Sequence, residues 1–287
     1  MKYKCHNCNE TDSTLLKFLK KHVNSLYSEY LLEITRGNSR ESKKEPIKYN
    51  KSKLEESKKR LEKTKKYLDP ATIFDSVNSS QIALNYLKTR KIPDKYFEHI
   101  FYTERFKEIT NKLIPGKFAN NEEFGNKYIV FPLITSEGKM IGYQGRSLTC
   151  KDKAFRYITI AFNKERNPPI FGQNFVDLEK KVWILEGPID SLFLSNSIAL
   201  CGAGKTLDLT LFPNRVYVLD PDTRNQQIKI IYKKLIKQGE SIVILPKKYS
   251  GLDTNDLVLQ GIDAEQLYTK YTFVGFKAQL ELAKWNR

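Results

Sequence analysis

The chain has 287 residues, 40% of them hydrophobic, which is enough apolar material to bury one large core or two modest ones and excludes a disordered protein. Its 49 Lys and Arg against 33 Asp and Glu give a net charge of +16, which favours nucleic acid or an acidic membrane surface as a partner over a merely basic protein. No apolar run approaches the ~20 residues of a membrane span, and no secretory signal is present, so we expect a soluble intracellular protein.

The N-terminal segment begins with a Cys-x-x-Cys pair, Cys5 and Cys8, followed by the spacing of an amphipathic helix. The other cysteines, Cys150 and Cys201, are isolated, so the sequence does not indicate a disulfide framework. The stretch 36–66 is rich in Lys and Arg and poor in apolar residues, which predicts a mobile or partly helical basic linker. A tether for nucleic acid and a solvated linker without a specific role both fit this composition.

Ordered structure is predicted from about Pro70 onward. The stretch SSQIALNYLK has an N-cap serine and helical apolar spacing that includes Ile82, and Pro93 ends the pattern. The stretch NKYIVFPLITSEGKMIGYQGRSL predicts a β-hairpin with a Ser-Glu-Gly-Lys turn, and FRYITIAF predicts a third strand.

From Lys181 the pattern alternates between strands and helices. Strands are predicted in KVWILE, SIALCG, RVYVLD and SIVILP, with a short helix in PIDSLFLSN and a longer one closed by Gly239. Such alternation predicts a largely parallel sheet, and ligands of these sheets bind beyond the carboxyl ends of the strands.

Two of these predicted strands end on a carboxylate, Glu186 and Asp220, with Asp222 close behind the second and Asp190 in the helix after the first. If the two strands are neighbours, the acids meet at one edge of the sheet, where their mutual repulsion favours a bound cation. Carboxylate oxygens suit Mg²⁺ or Mn²⁺, the ions of phosphate chemistry. Helix capping or plain exposure is the alternative, and the presence of acids at both strand ends favours the metal site.

The stretch ILEGPIDSLFL, followed by VYVLDPDTRN, resembles the Toprim domain, whose signature is a strand-end glutamate in an E-G-x-x-D context and a later D-x-D. The predicted hairpin, with its G-x-x-G-R element, is similar to the basic subdomain that precedes Toprim in bacterial-type primases, and CHNCNETDSTLLKFLKKH is similar to the second half of their zinc ribbon. In order and spacing, nearly the whole chain resembles the compact DNA primases of T-even-like bacteriophages. The implied fold is α/β: a Toprim domain with a Rossmann-like, mainly parallel sheet, fused to a basic α+β primase subdomain and preceded by a partial zinc ribbon.

The resemblance also implies a domain organisation. Its segments are a partial zinc ribbon (1–22), a helix and basic linker (23–69), the basic N-terminal subdomain of the RNA polymerase core (70–178), the Toprim domain (179–262) and a C-terminal helical segment (263–287). The last segment would either dock a helicase or pack on its own Toprim domain. Because a structural zinc site takes four ligands, Cys5 and Cys8 form half of one, and we favour a further N-terminal segment over a separate polypeptide or a degenerate site.

The resemblance assigns roles to individual residues. Glu186 is the candidate general base or metal-contacting acid, and Asp220 and Asp222 are metal ligands; these three are the catalytic set. Further Mg²⁺ ligands would be Asp190, which supports the site from behind, and Asp256, with Asp253 as a metal or structural candidate. The cations implied for nucleotide and template phosphates are Arg146, Lys127, Arg156 and Lys153.

The implied activity is that of a DNA primase, a DNA-directed RNA polymerase that makes short RNA primers from ribonucleoside triphosphates on a single-stranded DNA template. Mg²⁺ or Mn²⁺ is the implied cofactor, with Zn²⁺ if the ribbon is complete. The implied partner is a replicative hexameric helicase, in the cytoplasm of a phage-infected bacterial cell and without a membrane. A Toprim-type nuclease would not explain the basic hairpin, and a non-catalytic helicase accessory protein would not need the intact acids.

Overall fold

The computed structural model describes residues 68–118, 127–150, 156–162, 169–202, 209 and 211–286, with the backbone of two short strands nearer the N-terminus. These strands, β1 (Tyr3–Lys4) and β2 (Thr11–Asp12), pair antiparallel within a unit of residues 1–55. All other elements belong to a second compact unit, residues 56–287. The predicted zinc ligands Cys5 and Cys8 and the predicted basic linker lie outside the described residues.

The first half of the larger unit is built on an antiparallel sheet. Its strands, in spatial and chain order, are β3 (Asp75–Ser76), β4 (Phe101–Thr103), β5 (Tyr128–Ile134), β6 (Met140–Ser147) and β7 (Tyr157–Ala161). Strands β5 and β6 form the predicted hairpin, and its turn contains Gly138 at a φ of +77°, a conformation that glycine adopts without steric cost. Strand β7 is the predicted third strand, so these three strands are confirmed, while β3 and β4 were not predicted.

Helix α1 (Gln81–Thr89) begins at the predicted N-cap, because the Ser80 side chain accepts a hydrogen bond from the Ala83 backbone N–H. Ala83 and Leu87, four residues apart, form its buried stripe. The sequence pattern predicts Ile82 on the apolar face, and this prediction is wrong. Ile82 is 47% exposed, because its side chain points about 100° away from the buried stripe. A second helix, α2 (Phe106–Leu113), packs its Phe106 side chain on the other face of the sheet.

The second half contains the predicted, largely parallel sheet. Its strands in chain order are β8 (Val182–Leu185), β9 (Ser197–Ala199), β10 (Arg215–Tyr217), β11 (Ser241–Val243) and β12 (Thr272–Phe273). The spatial order is β12-β11-β10-β8-β9, and only the β11-β12 pair is antiparallel. The order places β8 and β10, which precede the two strand-end acids, side by side.

The helices of the second half are α3 (Pro188–Ser191), α4 (Gln226–Lys237), α5 (Thr254–Leu259), α6 (Ala264–Lys270) and α7 (Gly275–Ala283). The C-terminal segment packs on this same sheet: β12 extends its edge, and Leu282 and Trp285 are buried. The Trp285 indole N–H donates to the Leu245 carbonyl at 2.8 Å. Of the two alternatives for the C-terminal segment, packing on its own domain is therefore the one observed. The contacts involve a strand as well as helices.

One apolar cluster joins the two sheets. It contains Leu87 of α1 and Phe131 of β5 together with Ile189 of α3 and Ala199 of β9, all nearly inaccessible to solvent. The antiparallel and parallel sheets therefore share a core, which fixes α1 relative to the helices beside the strand-end acids. None of the helices in the described part of the chain has the length and hydrophobicity that a bilayer-spanning segment requires.

Candidate active site

The two strand-end acids lie at adjoining positions of the parallel sheet. Glu186 follows β8 and Asp220 lies just beyond β10, and these strands pair with Tyr217 opposite Ile184. The Val218 backbone N–H donates to the Ile184 carbonyl at 2.9 Å, which continues the pairing toward the acids. The two strands are thus neighbours, which is the condition on which the predicted meeting of the acids depends, and both residues are exposed at this end of the sheet.

Three further acids lie on the two helices beside this edge. Asp190, on α3, accepts a hydrogen bond through Oδ1 from the Asn255 backbone N–H at 3.0 Å. Asp253 and Asp256 form a capping box at the start of α5, since each carboxylate accepts the backbone N–H of the other residue, at 2.7 and 3.3 Å. Asp253 therefore has a structural role, and Asp256 has one oxygen engaged in the cap.

The surroundings of Glu186, Asp190 and Asp220 disfavour the charged forms of these three carboxyl groups. Dense protein packing, and then the charges of Glu186, Asp253 and Asp256, raise the pKa of Asp220 from 3.8 to about 7. Packing also raises the pKa of Asp190 to about 7, with contributions from Asp253 and Asp220, and it raises the pKa of Glu186. Because Glu186 and Asp220 are open to solvent on one side, water screens part of this repulsion.

The donor chemistry fits a hard divalent cation. Within the described residues, no three Asp, Glu, His or Cys side chains already converge closely enough to hold a metal ion. The carboxylates of Glu186, Asp190 and Asp220 are nonetheless oxygen donors whose charged forms are disfavoured, and a cation would relieve that cost. These residues therefore fit Mg²⁺ or Mn²⁺ by charge and donor type.

Asp222 is engaged in its own loop. Its Oδ1 accepts the Arg224 backbone N–H at 3.2 Å, and its backbone N–H donates to the Asp220 carbonyl at 2.8 Å. The charges that raise the pKa of Asp220 belong to the other acids of the cluster. Its role as a metal ligand stays a prediction.

Arg146 lies in β6 and is 6% exposed. Its Nε donates to the Tyr86 hydroxyl at 3.1 Å, and its guanidinium lies 4.7 Å from the centroid of the Tyr157 ring. In this position Arg146 supports two aromatic side chains and has little surface left for a ligand. Its expected contact with phosphates stays a prediction.

The other predicted basic residues are Lys127, Arg156 and Lys153. Lys127 forms an ion pair with Glu104, with a distance of 3.5 Å between Nζ and Oε1. Arg156 is half-buried, and its backbone carbonyl accepts the Ser147 N–H at 2.8 Å. Lys153 lies outside the described residues.

Two residues next to the acids were missed by the sequence analysis. Arg90, which caps the C-terminal end of α1, donates through Nη1 to Asn255 Oδ1 at 2.6 Å. Asn255 in turn donates through Nδ2 to the Arg90 carbonyl at 2.7 Å. The available signal was an Asn within the acidic stretch LDTND, and nothing in the sequence links it to an Arg far upstream.

The chain is similar in sequence to a DNA primase. No protein-family model matches the chain. The DNA primase of Enterobacteria phage T4 is 30% identical over 293 residues, and the alignment covers 99% of this chain and 81% of that protein.

Solved structures with a similar fold are also primases. The zinc-binding and RNA polymerase domains of the Aquifex aeolicus primase are 21% identical with a TM-score of 0.57, over 99% of this chain and 76% of that one. The RNA polymerase domain of Mycobacterium tuberculosis primase DnaG, in complex with a double-stranded DNA oligomer with a 6-nucleotide overhang, is 17% identical with a TM-score of 0.56, over 72% and 79%. A DnaG primase catalytic domain bound to single-stranded DNA is 16% identical with a TM-score of 0.51, over 74% and 79%. These likenesses establish the fold of the primase catalytic core.

Proposed function

This chain belongs to the DNA primase family, whose members are DNA-directed RNA polymerases, and we propose that it makes short RNA primers on single-stranded DNA by metal-dependent phosphoryl transfer at the acidic edge of its parallel sheet. The observation that carries the proposal is the placement of Glu186 and Asp220 at the ends of neighbouring parallel strands, with Asp190 behind them. Similarity to primases over nearly the whole chain disfavours the nuclease and accessory-protein alternatives.

The proposed chemistry joins a ribonucleotide 3′-hydroxyl to the α-phosphate of the next nucleoside triphosphate. Bound Mg²⁺ or Mn²⁺ would neutralise charge on the triphosphate and favour loss of the proton from the attacking hydroxyl. The residues that would hold the ion are Glu186 and Asp220 with Asp222, Asp190 and Asp256. Glu186 is the candidate to accept the hydroxyl proton, since its raised pKa suits a general base. The new bond joins the 3′ oxygen to the α-phosphorus, and pyrophosphate leaves.

We assign the parallel sheet to a Toprim domain and the antiparallel sheet to the basic primase subdomain. The net charge of +16 supports a polyanionic template, and binding to single-stranded DNA should therefore weaken with salt. In this proposal Arg156, Lys153 and Lys127 contact the phosphate backbone. Cys5 and Cys8 would hold Zn²⁺ only together with further ligands. A replicative hexameric helicase, in the cytoplasm of an infected bacterial cell, is the proposed partner.

The test is incorporation of radiolabelled ribonucleotides on single-stranded DNA with Mg²⁺ or Mn²⁺. Glu186→Gln should reduce incorporation by roughly 10²- to 10⁴-fold while sparing DNA binding, because it removes the proton acceptor and one metal donor. Glu179→Gln is the matched control, since Glu179 is exposed and precedes the opposite end of β8. Wild-type incorporation by Glu186→Gln, or DNA degradation in place of RNA synthesis by the wild-type protein, would refute the proposal.

A further inference from the structure

A partly buried pair of hydrogen bonds joins the two halves of the larger unit. Arg90 and Asn255 are 165 positions apart and make two reciprocal hydrogen bonds, from Nη1 to Oδ1 at 2.6 Å and from Nδ2 to the Arg90 carbonyl at 2.7 Å. Asn255 is 0% exposed and Arg90 is half-buried, so water is kept from the Asn255 side of both bonds. We call this pair the Arg90–Asn255 clasp.

The clasp extends to the acidic cluster through the backbone of Asn255. This N–H lies in the first turn of α5, where helix N–H groups lack partners within the helix, and it donates to Asp190 Oδ1 at 3.0 Å. Asp190 is close enough to Asp220 and Asp253 for their charges to act on it, and the charge of Arg90 acts on it in the opposite sense. Asn255 is therefore the one residue that links Arg90, through hydrogen bonds, to Asp190 of the candidate metal site.

The Arg90 end of the clasp is itself held in place. Leu87 anchors α1 in the core that the two sheets share. Next to Arg90, Lys91 leaves the helix at a φ of +56°, an uncommon conformation for a residue other than glycine, and its Nζ approaches the Leu259 carbonyl at 3.5 Å. The C-terminal end of α1 thus contacts both ends of α5, at Asn255 and at Leu259. Because α1 belongs to the antiparallel half, the position of Asn255 depends on that half.

We infer that Arg90 and Asn255 are positioning residues for Asp190, so that the antiparallel half fixes one carboxylate of the catalytic cluster in the parallel half. The inference rests on the proposed function, because it assigns the clasp to the metal-dependent step. A purely structural pair would stabilise the fold without affecting metal binding. A phosphate-binding Arg90 would instead contribute to DNA or nucleotide affinity.

The variants that separate these roles lie on one helix. Arg90→Met removes the Nη1 donor and the charge but keeps the backbone acceptor and a side chain of similar length. Arg90→Lys keeps the charge and one donor group. Lys88→Met is the matched control, because Lys88 is an exposed cation on the same helix. Circular dichroism and thermal unfolding should show that each variant folds; if Arg90→Met does not, Arg90→Lys compared with the wild-type protein decides the test.

Two measurements are decisive: Mn²⁺ binding to the protein alone, by electron paramagnetic resonance, and steady-state primer synthesis. Arg90→Met should weaken Mn²⁺ binding about tenfold and lower kcat roughly 10- to 100-fold, because displaced supporting residues misplace metal donors. KM for ribonucleotides and Kd for single-stranded DNA should stay within about twofold of the control, and Arg90→Lys should recover part of both losses.

The inference is overturned if Arg90→Met matches Lys88→Met in Mn²⁺ affinity and kcat, or if it weakens DNA binding or raises KM while kcat is unchanged. Either result would leave the proposed function intact. Absence of RNA synthesis by the wild-type protein would refute the proposed function instead, and the Mn²⁺ measurement would still decide whether the clasp positions Asp190.

Discussion

Asp220→Asn should separate the stability of the acidic cluster from its activity. The substitution keeps the size of the side chain and removes its charge, which burial and then repulsion by the neighbouring acids disfavour. A pKa raised from 3.8 to about 7 would correspond to ~4 kcal/mol for a carboxylate sealed from water. Because Asp220 is exposed, we discount this to about 1 kcal/mol. For a unit of this size that is a rise of roughly 2–4 °C in Tm for the metal-free variant.

The pH dependence of this gain in stability follows from the difference in proton binding between the folded and unfolded states. A carboxylate with a raised pKa in the folded state destabilises the wild-type protein progressively as pH rises from about 4 to about 7, and by a constant amount above that. The advantage of Asp220→Asn in metal-free buffer should therefore be small near pH 4 and full above pH 7.

The assay is differential scanning calorimetry of both proteins, with and without Mg²⁺, beside primer synthesis. Mg²⁺ should stabilise the wild-type protein more than the variant, and the variant should lose at least about 10²-fold in synthesis. If metal-free Asp220→Asn were less stable than the wild-type protein above pH 7, the reasoning that burial and repulsion make the Asp220 charge destabilising would be refuted.

Further predictions concern the metal and the C-terminal segment. The affinity for Mn²⁺ should fall as pH decreases below about 7, because protons compete for Asp190 and Asp220, and titrations at several pH values would check this; constant affinity would contradict it. Trp285→Ala should cost about 3–5 kcal/mol in urea unfolding, because it empties a buried site and leaves the Leu245 carbonyl unpaired. Phe276→Ala, on a side chain 71% exposed in the same segment, should cost less than about 0.5 kcal/mol, and equal losses for the two variants would argue against the observed packing.

The sequence was sufficient for the features that depend on local periodicity. Alternating strands and helices predicted the parallel sheet, and the Ser-Glu-Gly-Lys turn predicted the hairpin. Both can be recognised from neighbouring residues alone, because a strand repeats every two residues and the turn needs a glycine at positive φ. The placement of Glu186 next to Asp220 was predicted only on the condition that their strands are neighbours, because local periodicity gives the strands but not their order in the sheet.

The remaining features depend on contacts between distant parts of the chain. The burial of Arg146 arises from Tyr86 of α1 and Tyr157 of β7, which local strand periodicity does not reveal. The contact between Arg90 and Asn255 requires the packing of both halves. The hydrogen bond of Asp222 is of local origin, because an Asp in a turn can accept a backbone N–H two residues ahead as well as face a ligand, and its role as a metal ligand stays a prediction.

The parallel sheet has short strands at both of its edges. Strand β9 has three residues, and its Ala199 makes a further bridge to Phe171, while the two residues of β12 cover the side of β11. Short edges give another molecule few free backbone groups to pair with, so they oppose aggregation by strand addition. A shortened chain lacking residues from Thr272 onward would uncover the apolar strand Ser241–Val243 along one side. Such a chain should self-associate even where its acidic cluster is intact.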